Sequence, residues 1–148
     1  MAWIEHEYAD TQALVAGVSA VFESACRSAI TVRGHALLCL AGGRTPLPIY
    51  AHLAHAGLRG TLIAIPGDER CVPHTHAACN LRNLREAFAT DASLQVQPLT
   101  TADGDIDASL ALARTWLAAH PQDFDAVLLG MGGDGHFASL FPGAANIA

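Results

Sequence analysis

Short apolar runs alternate with longer segments of helical periodicity along this chain, and no other feature constrains its fold as strongly. The apolar runs predict strands at residues 2–8, 36–41, 61–65, 95–99 and 124–129. Between them, apolar side chains recur three and four residues apart, which predicts helices at residues 10–29, 45–57, 80–88 and 105–117. Strands that alternate with helices favour a mainly parallel sheet covered on both faces, so we expect an α/β fold.

Three loops directly follow predicted strands, at residues 42–46, 67–71 and 130–136. In an open parallel sheet the carboxyl ends of the strands share one edge, and ligands bind in the crevice outside that edge. The same loops hold most of the residues in this chain that can bind an anion or transfer a proton. We therefore expect the three loops to gather into one site.

The first loop has the sequence Gly42-Gly43-Arg44-Thr45-Pro46. Two glycines let the backbone approach a ligand closely, and the helix that follows offers free amides and a positive dipole end to a phosphate. We expect Thr45 as the N-cap of that helix and Pro46 as its first residue. The alternative is an ordinary strand-to-helix turn, since the lysine and the spacing of a Walker P-loop are absent.

The second loop places three charged residues, Asp68, Glu69 and Arg70, directly after a strand. On its own, such a cluster is typical of a solvated turn. Beside the other two loops, however, Arg70 can neutralise a phosphate or a developing oxyanion.

The third loop brings a carboxylate, Asp134, and an imidazole, His136, to the end of the last predicted strand. The carboxylate of such a pair can fix the tautomer of the imidazole so that the ring acts as a base. One alternative is a surface turn. Another is a dinucleotide fingerprint, because residues 130–135 match the GxGxxG pattern, but Phe141-Pro142-Gly143 disfavours the long helix that a fingerprint requires.

Two cysteines and two histidines, Cys71, His74, His76 and Cys79, lie close enough in sequence to suggest a zinc site. They do not form the two clean ligand pairs of a structural site, so we expect no metal and no other cofactor, with the cysteines serving as small packing residues. The four cysteines form no CxxC pair and the N-terminus has no signal-peptide pattern, which favours a reducing cytoplasm.

Charge and hydropathy narrow the choice of partners. The formal net charge is −6, and the eight basic residues are all arginine without a basic stripe, so we expect no nucleic-acid partner. We also expect no membrane partner, because no uninterrupted apolar stretch suits a bilayer span. A chain of 148 residues that is 51% hydrophobic can bury a core, which predicts a single domain at residues 1–148.

Three segments in this order resemble the 6-phosphogluconolactonase family. They are LAGGRTPLPIY at residues 40–50, GDERCVP at residues 67–73 followed by His76 and Asn80, and LLGMGGDGHFASLFPG at residues 128–143. The resemblance implies a Rossmann-like three-layer sandwich, as in sugar-phosphate isomerases and deaminases. It also implies metal-independent hydrolysis of 6-phospho-D-glucono-1,5-lactone to 6-phosphogluconate in the pentose phosphate pathway.

The resemblance further implies roles for individual residues. His136 is the expected acid and base, with Asp134 beside it, and a phosphorylated sugar lactone is the expected partner. The expected substrate- and phosphate-binding residues all lie in the first two loops and are Gly42, Gly43, Arg44, Thr45, Asp68 and Arg70.

The chain also departs from the family pattern. Arg44 stands where relatives often have serine, and Gly133 and Phe137 replace residues that are commonly proline and threonine. Relatives continue well beyond the position of Gly143, so we expect this chain to cover roughly the N-terminal two-thirds of the family domain, with a sheet that is incomplete at the C-terminus.

Two other functions and one assembly remain open at this point. The chain could be a sugar-phosphate isomerase or an amino-sugar-phosphate deaminase of similar fold, or an inactive phosphosugar-binding domain. An incomplete sheet would expose an apolar edge or face, which favours self-association, so a homodimer or a domain-swapped assembly is expected.

Overall fold

The computed structural model describes residues 4–145, which contain four helices and four strands. The strands are β1 (His35–Leu40), β2 (Thr61–Pro66), β3 (Leu94–Val96) and β4 (Ala126–Leu128). The helices are α1 (Thr11–Arg33), α2 (Leu47–Ala54), α3 (Asn80–Ala87) and α4 (Ile106–Ala119). All four strands run parallel in the order β3-β2-β1-β4, which confirms the predicted α/β fold with a parallel sheet.

The predicted strand at residues 2–8 is wrong for the residues that the structure describes. Residues 2 and 3 lie outside the described residues, and residues 4–8 form no strand. Their side chains are exposed, including Ile4 and Tyr8, so this segment lacks the neighbouring strand that would satisfy its backbone.

Helix α1 extends four residues beyond its predicted end because the chain meets no helix breaker before Gly34. The side chain of Asp10 caps the first turn by accepting a hydrogen bond from Ala13 N at 2.8 Å. At the other end Gly34 adopts a left-handed conformation with φ of 79°, and its N–H donates to Ile30 O. This cap directs the chain straight into β1.

The length and mean hydropathy of α1 (1.4 over its most apolar window) also meet the criteria for a membrane span, which the sequence analysis did not anticipate. The buried side chains of the helix include Phe22, Cys26 and Ala29, and they join the core cluster over the sheet. Only 22% of its most apolar window is buried, so α1 packs on the sheet by one face and exposes the rest.

One face of the sheet forms the main core. Paired residues in parallel strands point to the same side, and Leu38, Ala64 and Val96 are paired in this way across β1, β2 and β3. They belong to a buried cluster with side chains from α1, α2 and α3. Burial of this apolar surface is the principal stabilising term for the fold.

The opposite face of the sheet is less completely covered. Leu37 and Ile65 are buried there, but Cys39 and Ile63 are only partly buried and Val127 of β4 is half exposed. On this face, exposure therefore increases from β1 to β4, which is one of the two edge strands of the described sheet.

A partly buried contact at Asp125 positions β4 beside β1. Asp125 precedes β4 and accepts a hydrogen bond from Leu37 N at 2.8 Å, while its own N–H donates to Leu37 O. Arg33 at the end of α1 donates to both carboxylate oxygens of Asp125, at 2.7 and 2.6 Å. Both contacts are made by Nη2 of Arg33, and this charged pair holds the start of the strand that leads into the third loop.

Helix α2 begins one residue later than predicted, at Leu47. Its N-cap is Pro46 rather than Thr45, and no side chain makes the capping hydrogen bond. Arg44 O instead accepts a hydrogen bond from Leu47 N, so a turn separates the loop from the helix. The hydroxyl of buried Tyr50 donates to Ala41 O at 2.6 Å and ties this helix back to the end of β1.

Candidate active site

The three loops that follow β1, β2 and β4 meet at the carboxyl edge of the sheet, as the sequence predicts. They enclose a cavity of about 350 Å³. The convergence follows from the strand order, because β1 lies between β2 and β4 and the loops after three adjacent parallel strands must be neighbours.

The first loop contributes Gly42, Gly43 and Thr45 to the wall of the cavity. It is held against the second loop by a hydrogen bond from Gly67 N to Leu40 O at 2.8 Å. Gly42 is a glycine for a steric reason, because a Cβ there would overlap the side chain of Asn80. Arg44 is exposed and is not among the residues that line the cavity, so its expected place in the binding set stays a prediction.

The three charged residues of the second loop make different contacts. Asp68 and Arg70 line the cavity. The carboxylate of Glu69 turns away from it and accepts hydrogen bonds from the backbone N–H groups of Asn80 and Leu81, at 2.8 and 2.7 Å. Glu69 therefore caps the first turn of α3, where unpaired amides and the positive end of the helix favour a negative charge.

The side chain of Arg70 is anchored at one nitrogen. Its Nη1 donates to Ala78 O at 2.8 Å and to Asn80 Oδ1 at 3.2 Å. Within residues 4–145, these are the hydrogen bonds of the guanidinium, so the donors on Nε and Nη2 are available to a ligand in the cavity.

The third loop pairs its two candidate catalytic residues. His136 Nδ1 lies 2.5 Å from Asp134 Oδ1, and the backbone N–H of His136 donates to the same oxygen at 3.3 Å. His136 lines the cavity. Asp134 does not, and its side chain is exposed to solvent. The ring of Phe141 stacks on the imidazole with centroids 4.6 Å apart.

Backbone features of the third loop explain how these two side chains meet. Gly135 has φ of 86°, in the region that favours glycine, and this reverses the chain between Asp134 and His136. A Cβ at Gly132 would overlap the imidazole and lie 2.7 Å from Asp134 Oδ1. The glycines at these positions therefore provide the space and the turn that the pair requires.

The carboxyl group of this pair also has a defined charge state. The hydrogen bond from His136 lowers the pKa of the Asp134 carboxyl below its ordinary value of 3.8. An ionised carboxylate beside Nδ1 favours the tautomer with the proton on that nitrogen, which leaves Nε2 with its lone pair as a potential base.

The cysteines and histidines at residues 71–79 have other contacts. His74 Nε2 lies 3.1 Å from Thr100 O, and the thiol of Cys79 faces the carboxylate of Glu69 at 3.6 Å. The part of the chain that the structure describes contains no group of three or more histidine, cysteine, aspartate and glutamate residues placed to hold a metal ion. His74 and Cys79 thus contact other residues, whereas Cys71 and His76 are exposed, so the predicted packing role does not extend to Cys71.

The family comparison agrees with this geometry. A family model described as glucosamine-6-phosphate isomerases/6-phosphogluconolactonase matches residues 9–148, nearly the whole chain. The chain belongs to this family. Its membership accounts for the three ordered motifs and for the loops that they form at one edge of the sheet.

Individual members of the family are similar over most of the chain. A 6-phosphogluconolactonase from Pseudomonas putida is 35% identical over 145 residues, which cover 96% of this chain and 60% of that protein. One from Synechocystis is 39% identical over 125 residues, which cover 77% of this chain and 52% of that protein. The chain thus spans between half and two-thirds of the length of these relatives.

Solved structures of the family share the fold. The crystal structure of a 6-phosphogluconolactonase from Shewanella baltica has a TM-score of 0.84 at 29% identity, covering 95% of this chain and 61% of that one. A 6-phosphogluconolactonase from Trypanosoma brucei has a TM-score of 0.75 at 28% identity. The parallel sheet and the arrangement of its loops are therefore those of the 6-phosphogluconolactonase structures.

Two of the cavity-wall residues to which the sequence assigned no role, Asn80 and Ala138, have a feature that bears on the site. Asn80 was part of the family pattern, but its contact with Arg70 depends on how α3 packs and has no local sequence signal. Ala138 also lines the cavity and has φ of 49°, the only positive φ of a non-glycine residue in the range 4–145. Such a backbone costs energy for an alanine, and the sequence Phe-Ala-Ser gives no sign of it.

Proposed function

We propose that this protein hydrolyses 6-phospho-D-glucono-1,5-lactone to 6-phosphogluconate. The observation that carries the proposal is that His136, paired with Asp134, shares one cavity with Arg70 and the glycine loop at Gly42 and Gly43. A phosphorylated lactone needs both features at once, an anion-binding end and a base at the carbonyl end. The named relatives support this reaction rather than an isomerisation or a deamination.

The phosphate is bound where the first two loops meet. Gly42 and Gly43 let the backbone approach the phosphate closely, and the hydroxyl of Thr45 donates a hydrogen bond to it. The free donors of Arg70 supply the positive charge. Helix α2 begins just behind this loop, so its positive dipole end also favours an anion.

Asp68 takes a different part of the substrate. Its carboxylate lines the same cavity but would repel a phosphate at short range. It is suited instead to accept hydrogen bonds from the sugar hydroxyls between the phosphate and the lactone carbonyl. These contacts hold the carbonyl near His136 and reduce the entropic cost of reaction.

The chemical step uses His136 as a base. Its Nε2 takes a proton from water as the water oxygen bonds to the lactone carbonyl carbon, and Asp134 stabilises the imidazolium that forms. The tetrahedral intermediate then breaks the bond between that carbon and the ring oxygen. The proton returns from His136 to the ring oxygen, which yields the open-chain acid.

The test is acid release from freshly prepared lactone, measured above the spontaneous rate. We expect acceleration by the unmodified protein, a loss of about 10²–10⁴-fold on His136→Ala, and no change on addition of EDTA. His55→Ala is the matched control, because His55 is an exposed histidine at the end of α2 whose ring contacts only Ala51 O within the described residues.

Each alternative has its own outcome in this assay. Binding of 6-phosphogluconate without any acceleration would leave an inactive phosphosugar-binding domain. Turnover of a ketose or amino-sugar phosphate without lactone hydrolysis would favour the isomerase or deaminase. Inhibition by EDTA would favour a metal site formed by Cys71, His74, His76 and Cys79.

A further inference from the structure

Asn80 occupies an unusual position for a polar side chain. It is the first residue of α3 and only 3% exposed, yet it lines the cavity. A buried amide must satisfy both its donor and its acceptor, and Asn80 does so entirely with the second loop. Its Nδ2 donates to Asp68 O at 2.9 Å, and its Oδ1 accepts from Arg70 Nη1 at 3.2 Å.

This pair of contacts requires an amide. The carbonyl of Asp68 faces the NH₂ group and the guanidinium of Arg70 faces the oxygen, so the two neighbours define the orientation of the amide. A carboxylate at this position would have no donor for Asp68 O and would place a negative charge against Arg70. An alanine would provide neither group.

The contact with Arg70 has a consequence for ligand binding. An arginine side chain has many rotamers, and each ligand contact must otherwise overcome the entropy of ordering it. Asn80 Oδ1 and Ala78 O hold the same nitrogen, Nη1, so the guanidinium is oriented while Nε and Nη2 stay available to the cavity. Arg70 is thus oriented before a ligand arrives.

Asn80 also meets the first loop. A Cβ on Gly42 would overlap the Asn80 side chain, so the two are in close contact. The same side chain therefore touches both loops to which the phosphate end of the substrate is assigned.

We propose that Asn80 is a positioning residue for the substrate phosphate: it orients Arg70 and sets the spacing between the first and second loops. The inference rests on the proposed function, because it assigns the phosphate to this end of the cavity. Asn80 itself acts through Arg70 and is not a catalytic residue.

The test compares variants of Asn80 by calorimetric binding of 6-phosphogluconate and by lactone kinetics. Asn80→Ala is expected to weaken binding and raise KM about tenfold, the effect of losing a hydrogen bond to a charged group, with kcat changed less than KM. Asn83→Ala is the matched control, since Asn83 lies one turn along α3 and contacts Gly42 O but not Arg70. Its contact with Gly42 O is long, 3.5 Å, so Asn83→Ala should weaken binding less than Asn80→Ala.

Asn80→Asp separates positioning from a role in starting the helix. Aspartate is favoured near helix N-termini, so a residue needed only for α3 would tolerate this change and bind normally, an outcome that would overturn the inference. We expect instead that binding weakens at least as much as with Asn80→Ala, because the new charge competes with the phosphate for Arg70. Circular dichroism of each variant confirms that it is folded, and Asn80→Asp supplies the test if the alanine variant is not.

A double variant shows whether Asn80 acts through Arg70. In an Arg70→Ala background, Asn80→Ala should weaken binding less than it does in the unmodified protein, and fully additive losses would contradict the inference. If the unmodified protein neither binds 6-phosphogluconate nor hydrolyses the lactone, the proposed function fails and this inference with it. If it does either, while both Asn80 variants match it, only the inference fails.

Discussion

His136 Nδ1 and Asp134 Oδ1 lie 2.5 Å apart, although two residues separated by one position in an irregular loop have no general reason to face each other. The turn at Gly135 and the space at Gly132 create this contact. The imidazole is held from one side by the carboxylate and from its face by Phe141, which leaves its other edge for the cavity.

We expect Asp134→Asn to lower kcat about 100-fold, because the amide preserves the shape but removes the charge that orients and stabilises the imidazole. The pKa of Asp134 is lowered, so its carboxylate stays ionised as the pH falls to the ordinary aspartate value of 3.8 and is protonated only below it. Titration of Asp134 should therefore not limit the rate between pH 5 and pH 8, as a pH–rate profile would show. Asp123→Asn, which alters an exposed aspartate outside the cavity wall, is the control, and equal rates for the two variants would contradict the role of Asp134.

Gly42 and Gly43 are adjacent and should respond differently to alanine. Gly42→Ala forces its Cβ into the buried Asn80 side chain, so we expect a loss of about 1–3 kcal/mol in the free energy of unfolding, as for overpacking, together with weaker 6-phosphogluconate binding. A Cβ on Gly43 would meet nothing closer than Pro46 Cδ at 4.0 Å, so Gly43→Ala should leave stability nearly unchanged. Urea unfolding of both variants tests this. Equal midpoints would show that the Asn80 side chain moves aside without loss of stability.

Glu69 should matter for stability rather than for substrate contact. Its carboxylate accepts hydrogen bonds from the N–H groups of Arg70, Asn80 and Leu81, so we expect Glu69→Ala to cost about 2 kcal/mol in unfolding experiments. Glu86→Ala at the other end of α3 removes only an exposed ion pair with Arg82 and should leave stability essentially unchanged. Similar losses in both variants would argue against capping.

The buried thiol of Cys26 should make the protein sensitive to alkali. Burial raises its pKa from 9.0 to about 11, so between these values the unfolded chain loses a proton that the folded chain keeps. The stabilising effect is complete below pH 9 and disappears as the pH rises through about 11, a change of up to about 3 kcal/mol.

Urea unfolding at pH 8, 9, 10 and 11 measures this effect. Cys26→Ala should make the free energy of unfolding fall less steeply over that range, whereas Cys71→Ala, at an exposed cysteine, should not. The same slope in the unmodified protein and in Cys26→Ala would assign the alkaline loss to other groups.

The elements of the fold are largely local properties of the sequence. Each described strand begins and ends within a few residues of its apolar run, because a short run between turn residues has few other ways to bury itself. Helix ends are predictable from sequence where a cap is present, as at Asp10 and Gly34. The prediction is wrong where the expected cap does not form, as at Thr45. The first predicted strand was wrong because a strand also needs a neighbour, and that is not a local property.

The sequence alone determined the parallel α/β fold, the three loops after strands and the candidate acid, base and phosphate-binding groups that they carry. Only the tertiary structure placed β4 beside β1 through Arg33 and Asp125, left Arg44 outside the cavity wall, turned Glu69 onto α3 and brought Asn80 against Arg70. Periodicity, turns and caps depend on neighbours within a few residues. Strand order and side-chain contacts depend on which distant segments pack together, and that is decided by the whole core at once.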